Sequence, residues 1–250
     1  TNNKATGGSI YGGAIWIYSG TVTNCSFTNH SANYGGAVRM GSGSVENCNF
    51  TDNTATRDGG AIWIYSGTVT NCNFTNSSAT GAGGAVYFYD NSEVTNCNFI
   101  YNVAKSSTLG GGAIFFMISG NVAKCNFTDN SASFGGAVLF GGKGNISNSN
   151  FTNNSASNGG GAINMASGSV ENCNFTDNKA TSSSGGSIWF TGNGDVINCI
   201  FTNNSATGDG GAVYFYEGAT GRIINCNFTD NIATSYGGAV YFNETGTVSN

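Results

Sequence analysis

Hydrophobic and polar positions alternate in short bursts along this chain, and the bursts recur. In Gly12-Gly13-Ala14-Ile15-Trp16-Ile17, Ile15 and Ile17 fall on one side of an extended backbone and Trp16 on the other. In Cys25-Ser26-Phe27-Thr28, Cys25 and Phe27 share a side. Val22 lies three residues before Cys25, a spacing that strict alternation does not allow, so a bend is expected at Asn24. This predicts three short strands per repeat: one after Gly-Gly-Ala, one around Val22 and one around Phe27.

Gly-Gly-Ala, once Gly-Gly-Ser, returns with its third residue at Ala14, Ala37, Ala61, Ala85, Ala113, Ala137, Ala162, Ser187, Ala212 and Ala239, in steps of 23 to 28 residues. After each anchor comes Val or Ile, any residue, usually Asn, then Cys, any residue, Phe. The Phe positions are Phe27, Phe50, Phe74, Phe99, Phe127, Phe151, Phe175, Phe201 and Phe228. Asn follows three residues later in seven of nine copies, His30 and Ser77 being the exceptions. Ala follows five residues later in all nine, from Ala32 to Ala233. The distance from Val/Ile to that Ala is always ten residues, so length varies only in the joints, which read as loops.

Strands this short cannot pair within one repeat, so each pairs with its copy in the next. The fold class expected is all-β: a right-handed parallel β-helix of about ten coils, three strands per coil, rising roughly 4.8 Å per coil. Val/Ile, Cys, Phe and Ala form the inward ladders, together with the Ile, Met or Phe that follows Gly-Gly-Ala. Gly-Gly suits a turn with positive φ. The Asn three after Phe is expected at a left-handed turn position, its amide bonding the copies above and below. Both ends of the sequence fall inside a repeat, so residues 1–250 read as a single segment of a longer array.

Composition changes the picture at three points. Proline is absent, as it must be from strands whose N–H groups all bond the neighbouring coil. A net charge of −5 with only eight Lys plus Arg argues against a nucleic-acid partner. Eight cysteines would ordinarily read as four disulfides. Here Cys25, Cys48, Cys72, Cys97, Cys125, Cys173, Cys199 and Cys226 all occupy one slot, held by Ser149 in the sixth coil. Parallel Cβ vectors about 4.8 Å apart exceed the usual 3.5–4.5 Å of a disulfide, so a ladder of buried free thiols is expected. No second Cys or His lies nearby in each coil to hold a metal, and no cofactor is expected.

Gly-Gly-Ala-Ile/Val paired with Phe-x-x-Asn in every coil resembles the repeats of chlamydial polymorphic outer-membrane proteins. The Asn/Thr/Gly-rich version with Asn-Cys-x-Phe-Thr resembles the adhesin-like surface proteins of methanogenic archaea even more closely. That resemblance spans the chain. It implies a secreted, extracellular, cell-surface adhesin or stalk, anchored to the envelope through regions outside this segment. The expected partners are glycans or proteins of another cell, with self-association through open ends. No ligand is implied.

Candidate residues form two groups. The position after Gly-Gly-Ala-Ile/Val is expected to face out and holds Trp16, Arg39, Trp63, Tyr87, Phe115, Leu139, Asn164, Trp189, Tyr214 and Tyr241. Two residues on stand Tyr18, Tyr65, Tyr89 and Tyr216. These aromatics are either a platform for sugar rings or proteins, or cross-coil support beneath a flanking loop. The second group is the sequon Asn-Phe-Thr at Asn49, Asn73, Asn126, Asn150, Asn174 and Asn227. Either these asparagines carry glycans, or the sequon is a by-product of an Asn/Thr ladder. Asp52, Asp129, Asp177 and Asp230 occur in separated coils, which keeps like charges apart. Glu46 with Asp52, and Glu171 with Asp177, read as solvated corner pairs. The lone His30 and scattered Arg39, Arg57 and Arg222 offer no converging acid–base set, so a non-enzymatic role is expected. A polysaccharide-cleaving or carbohydrate-binding β-helix enzyme is the main alternative, and an ice-binding face a remote one. GGAIWIYSGTVTNC occurs identically at Gly12–Cys25 and Gly59–Cys72, which fits lengthening by duplication.

Overall fold

The computed structural model describes residues 1–5 and 11–250. Among them there is no helix; three parallel sheets of 15, 9 and 9 strands wrap one core as a right-handed β-helix. The first coil contributes β1 (Ile15–Thr23), β2 (Ser26–Thr28) and β3 (Ser31–Ala32), and each lies against its copy in the next coil. Register is set residue on residue: Phe27 on Phe50, Ala32 on Ala55, Val22 on Val45.

Three strands per coil are present, but their division differs from the expected one. The stretch after Gly-Gly-Ala and the stretch around Val22 belong to one sheet and are continuous in β1. The third strand follows the inner Asn slot and is only two residues in seven of nine coils, Ser31–Ala32 in the first, lengthening to Ser131–Phe134 and Ser155–Gly159 in two others. Two residues are too few to carry a readable alternation.

Two αL corners close each coil. One is the residue before Cys: Asn24, Asn47, Asn71, Asn96 and their equivalents, with φ between 51° and 55°. This is the bend expected at Asn24. The other is the residue two after Phe, such as Asp52, Asn76, Asp129 and Asn153, again with φ near +55°. Asn and Asp tolerate αL better than other side chains. At this corner Asn and Asp meet across coils: Asn76 Nδ2 donates to Asp52 Oδ1 at 2.6 Å, and Asn153 and Asn203 donate likewise to Asp129 and Asp177. The third corner is the first glycine of Gly-Gly. A Cβ on Gly59 would meet the Ile62 carbonyl oxygen at 2.1 Å, and φ there is +66°.

The left-handed residue is therefore one position earlier than expected. The Asn three after Phe points inward instead and is fully buried at Asn53, Asn102, Asn130, Asn154, Asn178 and Asn204. Asn130 shows why burial is tolerated. Its Oδ1 accepts from both N and Nδ2 of Asn102, at 3.0 Å each. Its Nδ2 donates to Phe99 O and to Asn154 Oδ1, also at 3.0 Å. Every hydrogen-bonding capacity of the amide is used, so desolvation is offset. His30 fills the slot by accepting the Asn3 N–H on Nδ1 at 2.9 Å. Burial holds its imidazole below the usual histidine range.

Phenylalanine makes the main stack. From Phe27 to Phe228, consecutive rings lie with centroids 4.7–4.9 Å apart and planes within 10°. A second stack, Phe88–Phe116–Phe140, runs beside it. Each buried ring contributes roughly 1.5–3 kcal/mol.

The eight cysteines are free thiols in one inward row. Six of them, all but Cys25 and Cys173, have two hydrogen-bonding roles. Cys48 donates Sγ–H toward Glu46 O at 3.1 Å and accepts the Cys25 N–H at 3.4 Å. Ser149 performs both roles with oxygen: it donates to Ser147 O at 2.8 Å and accepts the Cys125 N–H at 3.1 Å. The slot selects a small side chain that can both give and take a hydrogen bond.

Burial pushes the Cys48 thiol up to about 11, and the neighbouring thiol of Cys173, with burial, holds Cys199 up to about 12. A raised folded-state pKa contributes stability below the unfolded value near 9 and loses it as pH climbs through the folded value. Denaturant midpoints should thus fall between pH 9 and 11, and a variant with Cys48 and Cys199 changed to Ser should fall less over that window. Equal slopes for both proteins would contradict this assignment of the thiols.

Candidate functional site

The outer surface of the first sheet carries the candidate chemistry, and the coil geometry sorts it into covered and open parts. Stacking in register places Trp16, Arg39, Trp63, Tyr87, Phe115, Leu139, Asn164, Trp189, Tyr214 and Tyr241 in one row. The expectation that this row faces solvent holds only in part. Tyr87, Phe115, Leu139, Asn164 and Tyr214 are buried. The chain returning from the third face passes over them, and Ala82, Tyr87, Phe115 and Leu139 form a second apolar cluster with Phe134 packed against it. Tyr87 donates its hydroxyl to Met117 Sδ at 3.3 Å, and desolvation pushes its phenol up to about 12.

The cover comes from the residue just before Gly-Gly. Tyr34 meets Trp63 edge-on at 6.5 Å, Phe134 meets Trp189 at 6.4 Å, and Tyr236 stacks on Tyr241 at 5.7 Å. Trp63, Trp189 and Tyr241 are half-buried in consequence. Trp189 is pressed onto Gly159, where a Cβ would lie 1.7 Å from the indole, and its Nε1 is buried without a partner. The flanking-loop reading thus accounts for most of this row.

What stays open is the neighbouring row. Tyr18 is 79% exposed, Tyr65 46% and Tyr216 43%, with Trp16 at 58% beside them. Tyr65 and Tyr89 stack at 4.9 Å. A shallow polar groove runs along the second half of the sheet, and the cleft lined by Trp16, Tyr18 and Tyr65 meets it at Ser42 and Ser66. The groove's larger segment, about 840 Å³, is lined by Lys143, Asn145, Glu171, Asp195 and Arg222 among others. A smaller segment of about 470 Å³ includes Thr68, Glu93 and Asn121. Arg222 forms a two-pronged pair with Asp195 at 2.9 and 2.6 Å and holds that carboxyl below the usual aspartate range. Asn145 donates to Asn121 at 3.0 Å in the same groove.

This groove has a sequence signal that strand alternation alone did not single out. Glycine stands two residues before the inward Val/Ile in nine of ten copies, from Gly20 to Gly246, with Ser92 the exception. A Cβ on Gly120, Gly144, Gly194 or Gly246 would collide with the inward ring of Phe116, Phe140, Phe190 or Phe242 at 2.1–2.4 Å. The missing side chain lets the sheet sink toward the core, and its outer side becomes concave.

The sequon asparagines stand on the second face, exposed, in a row of their own. Asn73 donates to Asn49, Asn126 to Asn98, Asn150 to Asn126 and Asn174 to Asn150, at 2.8–2.9 Å. The Nδ2 atoms of Asn73, Asn126, Asn150 and Asn174, the site of any N-linked sugar, are thus donors in a ladder; Asn227 stands in the same row on Ile200. Among the described residues no group of three or more His, Cys, Asp or Glu is placed to hold a metal ion.

The model of the right-handed β-helix region matches residues 58–206, more than half the chain. The chain belongs to that family. Within this β-helix, three stretches, residues 47–65, 198–216 and 225–243, match the Chlamydia polymorphic membrane protein repeat. All three run from an Asn-Cys-x-Phe corner into the next Gly-Gly-Ala strand. No curated protein and no solved structure matches the chain.

Exposure in this β-helix predicts a simple optical result. Acrylamide should quench Trp16 far more than Trp63 or Trp189, so Trp16→Phe should remove most of the quenchable emission. Undiminished quenching in that variant would mean that the loop cover over the row is absent.

Proposed function

We propose that this chain is part of a non-catalytic, adhesin-like surface protein of the archaeal type its Asn-Cys-x-Phe-Thr repeats resemble, and that it engages glycans along the outer face of its first sheet. The observation that carries this reading is the set of exposed rings Trp16, Tyr18, Tyr65 and Tyr216, of which Trp16, Tyr18 and Tyr65 line a cleft that shares Ser42 and Ser66 with the polar groove. Sugar rings present apolar C–H faces and polar edges. Exposed aromatic rings beside hydroxyls, amides and a carboxylate suit both. A groove continuous over many coils favours a linear polysaccharide and repeated weak contacts over a single deep pocket.

Two further features support surface presentation. Three stretches of the array match the repeat of a membrane protein family. The array lengthens by adding whole coils, as the identical Gly12–Cys25 and Gly59–Cys72 blocks illustrate, and so sets reach without redesigning a core. A catalytic reading would require acids and bases converging on one point, whereas the groove pairs Arg222 with Asp195 and leaves Glu171 on another coil.

The test is a glycan array probed with the protein and with a variant carrying Tyr18→Ser, Tyr65→Ser and Tyr216→Ser. All three sites are exposed, so far-UV circular dichroism and melting should be unchanged while array binding falls at least tenfold. Unaltered binding by the variant would remove the aromatic lip from the account and leave a passive spacer. Turnover of any arrayed polysaccharide would reinstate an enzyme.

A further inference from the structure

The break in the open aromatic row between Tyr18 and Tyr65 makes a site. Coils one and three carry identical outer faces, with Trp16 and Tyr18 in one and Trp63 and Tyr65 in the other. The coil between them carries Arg39 and Gly41 at the same levels. Tyr18 and Tyr65 therefore stand two rungs apart, about 9.6 Å, with no side chain between. Gly41 cannot fill the gap: a Cβ there would lie 2.4 Å from the Tyr18 carbonyl oxygen. One rung on the row closes, Tyr65 and Tyr89 stacking directly at 4.9 Å. The notch is a cleft of about 360 Å³, with Ser42 and Ser66 at the side where it opens into the polar groove.

Its floor is cationic. The Arg39 guanidinium carbon lies 3.8 Å from the centre of the Tyr11 ring and 4.6 Å from that of Trp63. Two rings hold the group, and its Nε is buried without a partner. Among the described residues the ion pair within reach of an arginine is Arg222–Asp195, so Arg39 faces the cleft un-neutralised. A pinned guanidinium is a preorganised fork for a carboxylate.

We propose that this notch binds a hexuronic acid unit, a pyranose bearing a carboxylate, held between Tyr18 and Tyr65 with its carboxylate on Arg39. The inference rests on the glycan-binding reading above and narrows it to one site and one charge class. Three properties of the cleft select this occupant. A ring in van der Waals contact on both faces needs roughly 8 Å between the flanking planes, which the two-rung gap supplies and a one-rung gap does not. One unpaired cation matches one carboxylate. A polyphosphate chain needs many cations, and a chain of net charge −5 with eight Lys plus Arg does not offer them.

The probes are methyl glucuronide and methyl glucoside, which differ only in the carboxylate, titrated with saturation-transfer NMR on the whole 250-residue chain. The wild type should bind the glucuronide at least tenfold more tightly. Arg39→Gln should erase that preference, and Tyr18→Ser with Tyr65→Ser should weaken both sugars at least tenfold. The tyrosine variant alters only exposed rings, so it keeps the test valid even where Arg39→Gln unfolds the first coils, which melting curves would reveal. Equal affinity for both sugars in the wild type overturns the uronate assignment and leaves glycan binding standing. Glucuronide binding that survives loss of both tyrosines places the site elsewhere and overturns the notch. Failure of both sugars together with a silent glycan array overturns the broader reading as well.

Discussion

A strand N–H in this protein finds its acceptor one coil away, and almost everything else follows from that bond. Parallel pairing at about 4.8 Å fixes the rise, and strict register puts each residue on its own copy. Side chains must then succeed as columns. Phenylalanine does so by offset stacking at 4.7–4.9 Å. Asparagine does so because its amide has two donors and two acceptor sites, and the column uses all four. Cysteine does so as a small group that donates within its coil and accepts from the previous one. Charge does not column well, so Asp at the αL corner is followed by Asn, which donates to it.

The same columns determine what the surface can offer. A single outward aromatic becomes a row once repeated, and a returning loop that covers one member covers its neighbours too. Hence Tyr87, Phe115 and Leu139 disappear under a small second core, while Tyr18, Tyr65 and Tyr216 remain exposed. Departures from the column are where specific chemistry arises. Arg39 and Gly41 break the row between two identical coils, and the break is a cleft. A perfect repeat would have left only a continuous ridge.

Much of the architecture was legible in the sequence because the columns are written into it. The inward ladders, the thiol row, the bend at Asn24 and the Gly-Gly corner all follow from alternation and spacing. Two features were not. Whether the residue three after Phe or its predecessor takes the αL conformation cannot be decided by residue type when both are Asn, as in Asn153-Asn154. Register decides it: the later residue lies inside the coil and spends its amide on the ladder, so the earlier one makes the turn. Covered and open aromatics likewise look alike in sequence, because cover comes from the variable joint before Gly-Gly, such as the strand Ser131–Phe134 that brings Phe134 over the row. The glycine two before each inward Val/Ile was readable, but its meaning depends on the phenylalanine ring leaning over it.

Amide hydrogen exchange tests the central claim most directly. If the inner asparagine column ties coil to coil, the backbone N–H groups of Asn102, Asn130, Asn154 and Asn178, which donate to side-chain oxygens at 2.9–3.0 Å, should be as protected as the flanking strand amides although they sit beside turns. Substituting Asn154 by Ala should expose the Asn130 amide selectively. Fast exchange at all four positions in the unmodified protein, at rates typical of open turns, would contradict the stacked-column account.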